Sequence, residues 1–224
     1  MRKKNIGVLI SGRGSNMSSL IEACKAPDYP AEISIVISNR PKAAGLEIAR
    51  REGIKAIAIN HRDYDSRASF ETDLHQALVD ADVELICNAG FLRLLTAEFV
   101  DKWHDRQLNI HPSLLPSFKG LHTHQRVLEA GIKITGCTVH LVRTDMDAGP
   151  VIAQAAIVVE QGDSADTLAA RVLKAEHQLY PHALKLFVSG EAFVRNEKIE
   201  FRKQTKQSPS INLDGLFSPP LGAE

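Results

Sequence analysis

The amino-acid sequence predicts an α/β fold, a doubly wound, mostly parallel sheet of about seven strands with helices on both faces. Short apolar runs alternate along the chain with longer segments of helical periodicity, the pattern of parallel strands joined by crossover helices. Of the 224 residues, 44% are hydrophobic and 24% are charged. This composition provides a buried core and differs from that of disordered chains.

Four apolar runs are predicted to form the first parallel strands: residues 5–10, 32–38, 55–59 and 83–90. Strands buried on both faces are continuously apolar and do not alternate with polar residues. The segments between them have helical periodicity and cover residues 16–26, 42–53 and 66–82. Gly53 provides a C-terminal stop for the second helix, because glycine adopts the left-handed conformation there at little cost.

The second half of the chain continues this pattern. Residues 107–110 are interpreted as a fifth strand, 135–142 and 150–160 as two further strands in an antiparallel arrangement, and Ser164 to Val188 as a long helix. The last 18 residues, 207–224, are rich in Pro, Ser and Gly. We therefore predict one domain, residues 1–192, followed by a partly irregular C-terminal extension, residues 193–224.

Charge and cysteine content exclude several functional classes. Lys+Arg and Asp+Glu both number 27, which argues against a nucleic-acid partner bound through bulk electrostatics. The three cysteines, Cys24, Cys87 and Cys137, are widely spaced and interpreted as reduced thiols. The first apolar run is too short for a signal peptide, and no run is long enough to span a membrane. A cytoplasmic protein with small-molecule partners is predicted, with neither nucleic acid nor membrane among them.

The motif "SGRGSN", residues 11–16, follows the first strand and opens a helix. It lacks the lysine of a phosphate-binding P-loop and the third glycine of a dinucleotide fingerprint. One interpretation is a cradle for a single phosphate built from Gly14, Ser15 and Asn16, since a helix N-terminus favours anions. The other is an ordinary tight turn capped by Ser15.

The segment "LNIHPSLLPSFKG", residues 108–120, places Asn109 and His111 at the end of an apolar run. Alternate residues of a strand point to the same face, so both polar side chains should share one side. They either have a structural role, with their hydrogen bonds made inside the fold, or begin an active site. Pro112 and Pro116 restrict the backbone that follows.

The loop "VRTDMDAGPV", residues 142–151, contains Asp145 and Asp147. These acids could form a metal site, a turn-capping pair, or a carboxylate that orients a histidine. Few further ligands lie nearby, and the H-x-H pair of His122 and His124 lacks a third ligand, so no metal site is predicted. His140 lies in an apolar strand, where a core role and a site-lining role both stay open.

In the last predicted helix, Glu176 falls within an apolar stripe. A carboxylate on a core-facing stripe needs a partner or a ligand, because an unpaired buried charge is costly. The alternative is a boundary residue whose carboxylate reaches solvent.

Four segments, "VLISGRGSN", "AGFLRLL", "NIHPSLLPSFKGLHTH" and "TVHLVRTDMDAGPVIAQ", together resemble the phosphoribosylglycinamide formyltransferase family, over about Ile6 to Phe187. The resemblance implies a formyltransferase-type Rossmann-like fold with Asn109, His111 and Asp147 as catalytic residues. It implies that glycinamide ribonucleotide is bound by Gly14, Ser15, Asn16 and Glu176. It assigns the folate to Arg67, Leu92, Arg93, Leu94, Leu95, Asn109, Arg143, Thr144, Asp145, Met146 and Asp147.

The implied activity is transfer of a formyl group from 10-formyltetrahydrofolate, a co-substrate, to the amine of glycinamide ribonucleotide in purine synthesis, without a metal. Asn109 and protonated His111 would stabilise the oxyanion on the formyl oxygen. Asp147 beside the imidazole would favour its protonated form, the form that a general acid requires.

Three alternatives remain. A formyltetrahydrofolate hydrolase would use the same trio on water, but it carries a regulatory domain before the catalytic one. Methionyl-tRNA formyltransferase would require a further C-terminal domain to hold tRNA. A non-enzymatic nucleotide-binding module would use the polar strand ends only for stability.

Overall fold

The computed structural model describes residues 2–202, 210–212 and 215–218. The chain divides into two compact units. The first comprises Met1–Asn109 and Val142–Thr144, and the second comprises Ile110–Leu141 and Asp145–Glu224.

The first unit is a parallel sheet whose strands alternate with helices. Its elements are β1 (Lys4–Ile10), α1 (Ser15–Cys24), β2 (Ala31–Ser38), α2 (Ala44–Arg51), β3 (Lys55–Ala58), a 3-10 helix (His61–Asp63), α3 (Arg67–Val79), β4 (Leu85–Asn88), α4 (Ala97–Lys102) and the beginning of β5 (Gln107–His111). The strands pair in the order β3-β2-β1-β4-β5, all parallel. The strand order therefore reverses between β1 and β4.

Helices cover both faces of this sheet. Leu9 of β1 packs with Phe70 and Leu74 of α3 in one buried cluster. Ile10, on the opposite side of the same strand, touches α2, where a Cβ added to Gly45 would lie 2.5 Å from its Cδ1. Successive strand residues point to opposite faces, so α3 and α2 lie on different sides of the sheet.

The second unit contains the end of β5 followed by an antiparallel arrangement. Its elements are α5 (Thr123–Glu129), β6 (Ile134–Leu141), β7 (Val151–Val158), α6 (Ala165–Val188), β8 (Ala192–Arg195), β9 (Lys198–Phe201), β10 (Ser210–Asn212) and β11 (Gly215–Ser218). β7 pairs antiparallel with β6 and with β11, while β8 and β9 form a separate hairpin. The long helix α6 packs against β6 and β7.

The predicted fold class is confirmed, and each predicted strand and crossover helix is present. Gly53 has a φ of +75° and ends α2, as expected. Parts of the C-terminal extension are more regular than expected, since β8, β9 and β11 are paired strands and Phe217 is fully buried. The rest of the extension, residues 203–209, 213–214 and 219–224, lies outside the described residues.

No helix within the described residues has the length and apolar character needed to cross a membrane.

Gly136 allows β6 to approach β7 closely. A Cβ added at this position would lie 1.8 Å from the backbone oxygen of Ala155. The substitution Gly136→Ala should therefore force the two strands apart and destabilise the fold by about 1–3 kcal/mol, the usual cost of overpacking. Chemical denaturation of both proteins would measure the difference.

Gly12→Ala is the matched control, because a Cβ at Gly12 meets nothing within 4 Å. Equal unfolding free energies for wild type and Gly136→Ala would contradict the close approach of these two strands.

Candidate active site

In the first unit, the loops that follow β1 and β4 meet where the strand order reverses. The backbone N–H of Ser11 donates to the carbonyl of Gly90 at 3.1 Å. In open α/β sheets, ligands bind beyond the carboxyl ends of the strands at such a reversal. Gly14, Ser15 and Asn16 lie at the end of the loop after β1 and the start of α1, and Leu92–Leu95 lies in the loop after β4.

The "SGRGSN" loop leaves the N-terminus of α1 without a side-chain cap. The residue at the N-cap is Gly14, with a φ of +77°. The alternative of a turn capped by Ser15 is therefore wrong, since Ser15 is already the first helical residue. Uncapped N–H groups at the start of a helix are suited to an anion.

The same loop is packed tightly against α2. Gly45 N–H donates to the carbonyl of Gly12 at 3.1 Å, and a Cβ added to Gly14 would lie 3.0 Å from Gly45 Cα. A side chain at Gly14 would thus be strained both by its φ and by this contact. Asn16, on the first turn of α1, is 8% exposed.

The segment Leu92–Leu95 follows β4 and combines an anchored backbone with exposed apolar side chains. Leu92 is 61% exposed and Leu94 is 60% exposed. Arg93 lies over the ring of Phe70 at 5.4 Å. Neighbouring exposed apolar side chains are a feature of ligand-binding surfaces.

Two arginines assigned to the folate differ in their surroundings. Arg67 is the first residue of α3 and is exposed. Arg143 is mostly buried, and its Nη2 donates to Asp105 Oδ1 at 2.6 Å. Its guanidinium is therefore already engaged by a protein carboxylate, whereas the neighbouring Thr144 is exposed.

Asn109 lies on β5 and is partly buried. In the parallel register it is opposite Asn88 of β4, whose Oδ1 accepts from Gln107 Nε2 at 3.1 Å. Asn109 and His111 are both residues of β5, two positions apart, and strand alternation predicts that they share one face.

In the second unit, His111 and Asp147 lie side by side. His111 is 5% exposed, and its Nδ1 lies 3.4 Å from Asp147 Oδ2. Its Nε2 lies 3.0 Å from the carbonyl oxygen of Phe118. Both ring nitrogens face acceptors, so an imidazolium can donate to both at once.

Asp147 is held by further contacts. Its Oδ2 accepts from Gly120 N–H at 2.9 Å, and its Oδ1 lies 3.7 Å from His140 Nε2. Its backbone has a φ of +50°, in the left-handed region that Asp tolerates better than most residues. The carboxylate therefore lies between two histidine rings.

His140 is buried, with 2% exposed, and its Nε2 lies 3.7 Å from Asp147 Oδ1, so it fits both the core role and the site-lining role left open by the sequence. Its Nδ1 lies 2.8 Å from the carbonyl oxygen of Leu141, which fixes the ring orientation. Burial lowers the pKa of His140, although the Leu141 carbonyl and Asp147 both oppose this shift. Burial also lowers the pKa of His124, and the neighbouring charge of His111 adds to the effect.

Side chains of β6 and β7 form hydrogen bonds with the backbone of the loop after His111. The Thr138 hydroxyl donates to Ser113 O at 2.7 Å and accepts from Leu115 N–H at 3.1 Å. Gln154 Nε2 donates to Leu115 O at 3.0 Å. These bonds, in addition to the two prolines, hold the backbone that follows the site.

Glu176 of α6 is buried, with 7% of its surface exposed. The interpretation of a boundary residue reaching solvent is therefore wrong. Its charge contributes to raising the pKa of the buried Cys137 thiol, although burial of the thiol is the larger cause.

In the loop before Asp147, Asp145 is exposed and Met146 is 50% exposed. Among the described residues, no group of three or more His, Cys, Asp or Glu is arranged to hold a metal ion.

A cavity of about 890 Å³ lies elsewhere in the first unit, lined among others by Lys3, Asn5, Val79, Glu84, Trp103 and Arg106. These residues flank the amino-terminal ends of β1, β4 and β5. The cavity is therefore separate from the loops described above, which follow the carboxyl ends.

Residues 4–184 match the family described as formyl transferase. The phosphoribosylglycinamide formyltransferase of Escherichia coli is 42% identical over 186 residues, which are 83% of this chain and 88% of that protein. A glycinamide ribonucleotide transformylase 1 structure from Symbiobacterium toebii has 40% identity and a TM-score of 0.87, covering 90% of this chain and 95% of that one.

A longer relative is also similar. The trifunctional purine biosynthetic protein adenosine-3 of Bos taurus is 49% identical over 189 residues, or 84% of this chain. The chain spans 19% of the length of that relative.

The lowered pKa of His140 predicts loss of stability in acid. The unfolded state takes up a proton near the ordinary histidine pKa of about 6.5, whereas the buried ring takes one up only at lower pH. The unfolded state therefore binds more protons below that value, and stability falls as the pH decreases. His75, His124 and His177 shift in the same direction.

His140→Gln should reduce this acid sensitivity, measured as the difference in urea midpoint between about pH 7.5 and about pH 5.5. His104→Gln is the control, because the His104 side chain is 49% exposed. If the urea midpoint of His140→Gln changes between the two pH values as much as that of the wild type, the buried ring of His140 is not a cause of the acid sensitivity.

Proposed function

The chain belongs to the formyl transferase family, and on that premise we propose that it transfers the formyl group of 10-formyltetrahydrofolate to the primary amine of glycinamide ribonucleotide. This reaction is a step of purine synthesis. The relative from Escherichia coli supports the proposal, because the similarity covers 88% of its length. The other activities of the trifunctional relatives are not part of it.

The observation that carries the proposal is the buried contact between His111 and Asp147. The histidine is 5% exposed and its Nδ1 lies 3.4 Å from the carboxylate. A carboxylate at this distance can accept a hydrogen bond from Nδ1–H and so fix the orientation of the ring. Since Asn109 lies two residues earlier on β5, strand alternation predicts that its amide and the imidazole share one side of the strand.

These donors suit the chemistry of formyl transfer. The amine lone pair forms a bond to the formyl carbon, and the carbonyl electrons move to oxygen. Asn109 and His111 are proposed to donate to that oxyanion, for which His111 Nε2 would exchange its present acceptor, the Phe118 carbonyl, for the formyl oxygen. When the intermediate collapses, the bond from carbon to the folate nitrogen breaks, the amine has lost a proton, and the folate nitrogen has gained one. His111 is the proposed acid, oriented by Asp147.

The ribonucleotide phosphate is assigned to the start of α1. Gly14, Ser15 and Asn16 present backbone N–H groups where no side chain caps the helix. Glu176 is the fourth proposed contact with this substrate. Its carboxylate is buried, and a carboxylate is a suitable acceptor for the amine or hydroxyl groups of that substrate.

The folate is proposed to lie against two groups of residues. The first consists of Arg67, Asn109 and the segment Leu92–Leu95, whose exposed leucines would cover an apolar ring system. The second is the loop Arg143–Asp147, including Thr144, Asp145 and Met146. Within it, Arg143 already pairs with Asp105, so it would act by positioning the loop.

We propose a cytoplasmic location with small-molecule substrates. Cys24, Cys87 and Cys137 form no disulfide within the described residues, which supports a reducing compartment.

Replacing the proposed acid should abolish most turnover. His111→Ala is expected to lower kcat about 10²–10⁴-fold, the usual contribution of a general acid. Asn109→Ala should lower it about 10²–10³-fold through loss of an oxyanion donor. Folate deformylation followed spectrophotometrically, with and without glycinamide ribonucleotide, is the measurement.

The control is His104→Ala, whose side chain is 49% exposed, with thermal melts of every variant. Folate consumption that needs no ribonucleotide would indicate a hydrolase. If Asn109→Ala has a lower melting temperature than the wild type but full turnover, the polar strand end has a structural and not a catalytic role.

A side chain at Gly14 should weaken binding of the ribonucleotide. In Gly14→Ala, the Cβ meets Gly45 Cα at 3.0 Å on a backbone with a φ of +77°. We expect the KM for glycinamide ribonucleotide to rise about tenfold, the effect of 1.4 kcal/mol, with a smaller change for the folate. Gly53→Ala, also at positive φ but on the far end of α2, is the control. Equal KM values would remove Gly14 from the phosphate site.

A further inference from the structure

Ser11, the residue that precedes the proposed phosphate loop, makes three hydrogen bonds although it is only 2% exposed. Its N–H donates to Gly90 O at 3.1 Å. Its hydroxyl donates to Asn39 Oδ1 at 2.6 Å and accepts from the N–H of Leu92 at 2.8 Å. A single buried side chain therefore connects the loops that follow β1, β2 and β4.

Asn39 makes this connection rigid from the other side. It is 2% exposed, and its backbone carbonyl oxygen lies 2.8 Å from His61 Nδ1. The Ser11 hydroxyl is thus held in one orientation, with its lone pair directed to Leu92 N–H. Buried hydroxyls with both a donor and an acceptor partner are well suited to fixing a loop.

The segment Leu92–Leu95 is attached at two points. Ser11 holds it at the N–H of Leu92, and Glu71 accepts from the N–H of Thr96 at 2.9 Å just beyond its other end. Glu71 is buried, with 4% exposed, and also accepts from the Thr96 hydroxyl. Between these points Leu92 and Leu94 remain about 60% exposed.

We propose that Ser11 is a positioning residue for the folate-binding segment and fixes Leu92–Leu95 relative to the phosphate loop. This inference rests on the proposed function for the nature of the ligand. It assigns to a buried side chain, which contacts neither substrate, part of the affinity for the folate. The two substrate subsites of the first unit then share one anchoring hydroxyl.

Ser11→Ala tests this role directly. Loss of the acceptor leaves Leu92 N–H without its partner, so hydrogen exchange of the Leu92 amide should accelerate about tenfold. The amide of Ala89, which donates to Leu9 O at 2.8 Å in the sheet, should be unchanged. The KM for the formyl folate should rise about tenfold, while kcat and the KM for the ribonucleotide change much less.

Ser34→Ala is the matched control, since its hydroxyl makes only a long bond of 3.4 Å to Ile6 O in the same unit. An unchanged folate KM in a folded Ser11→Ala protein would overturn the proposal, even if Leu92 exchanged faster. Should Ser11→Ala not fold, Asn39→Ala removes the orienting acceptor instead, and an unchanged folate KM in that variant would overturn the proposal equally. Failure of the proposed function is separable, because it would appear as missing ribonucleotide-dependent turnover in the wild type.

Discussion

The second unit of this protein is organised around the carboxylate of Asp147. This group accepts from the backbone N–H of Gly120 and lies between the rings of His111 and His140. A negative charge with little access to water is tolerated only when donors surround it. The left-handed backbone at Asp147 and the buried strand end at His111 serve that requirement, whereas His140 Nε2 lies 3.7 Å from the carboxylate, beyond hydrogen-bond distance. The chemistry proposed for His111 uses the same charge.

A common principle links the two units, because buried hydroxyl groups fix the loops that carry the proposed chemistry. Thr138 connects two backbone positions of the loop after His111, and Ser11 connects the loops after three parallel strands. Each hydroxyl both donates and accepts, so neither is left unsatisfied in the interior. The loops can therefore be irregular in conformation and still precise in position. Preorganised donors of this kind are what oxyanion stabilisation requires.

The sequence predicted the fold well because buried parallel strands are continuous apolar runs, which are visible in β1, β2 and β4. The prediction that Asn109 and His111 share one face rests on strand alternation, and both residues lie on β5. The short helix Ala97–Lys102 and the hairpin of β8 and β9 have too few residues to show a period. For His140 the sequence left a core role and a site-lining role open, and Ser11 was not singled out, because the contacts of both depend on the tertiary structure. Ser11 bonds partners 28 and 81 positions away, which no local pattern encodes.

The strand β11 lies beyond residues 4–184, the part of the chain that matches the family. It pairs with the outer side of β7 and buries Phe217 completely. An edge strand with free N–H and C=O groups is a template for pairing with another chain, and such edges promote aggregation. The described part of the extension therefore covers the outer side of β7, and β10 becomes the edge strand beside β11. In a protein shortened to residues 4–184, the N–H and C=O groups of β7 that pair with β11 would be exposed.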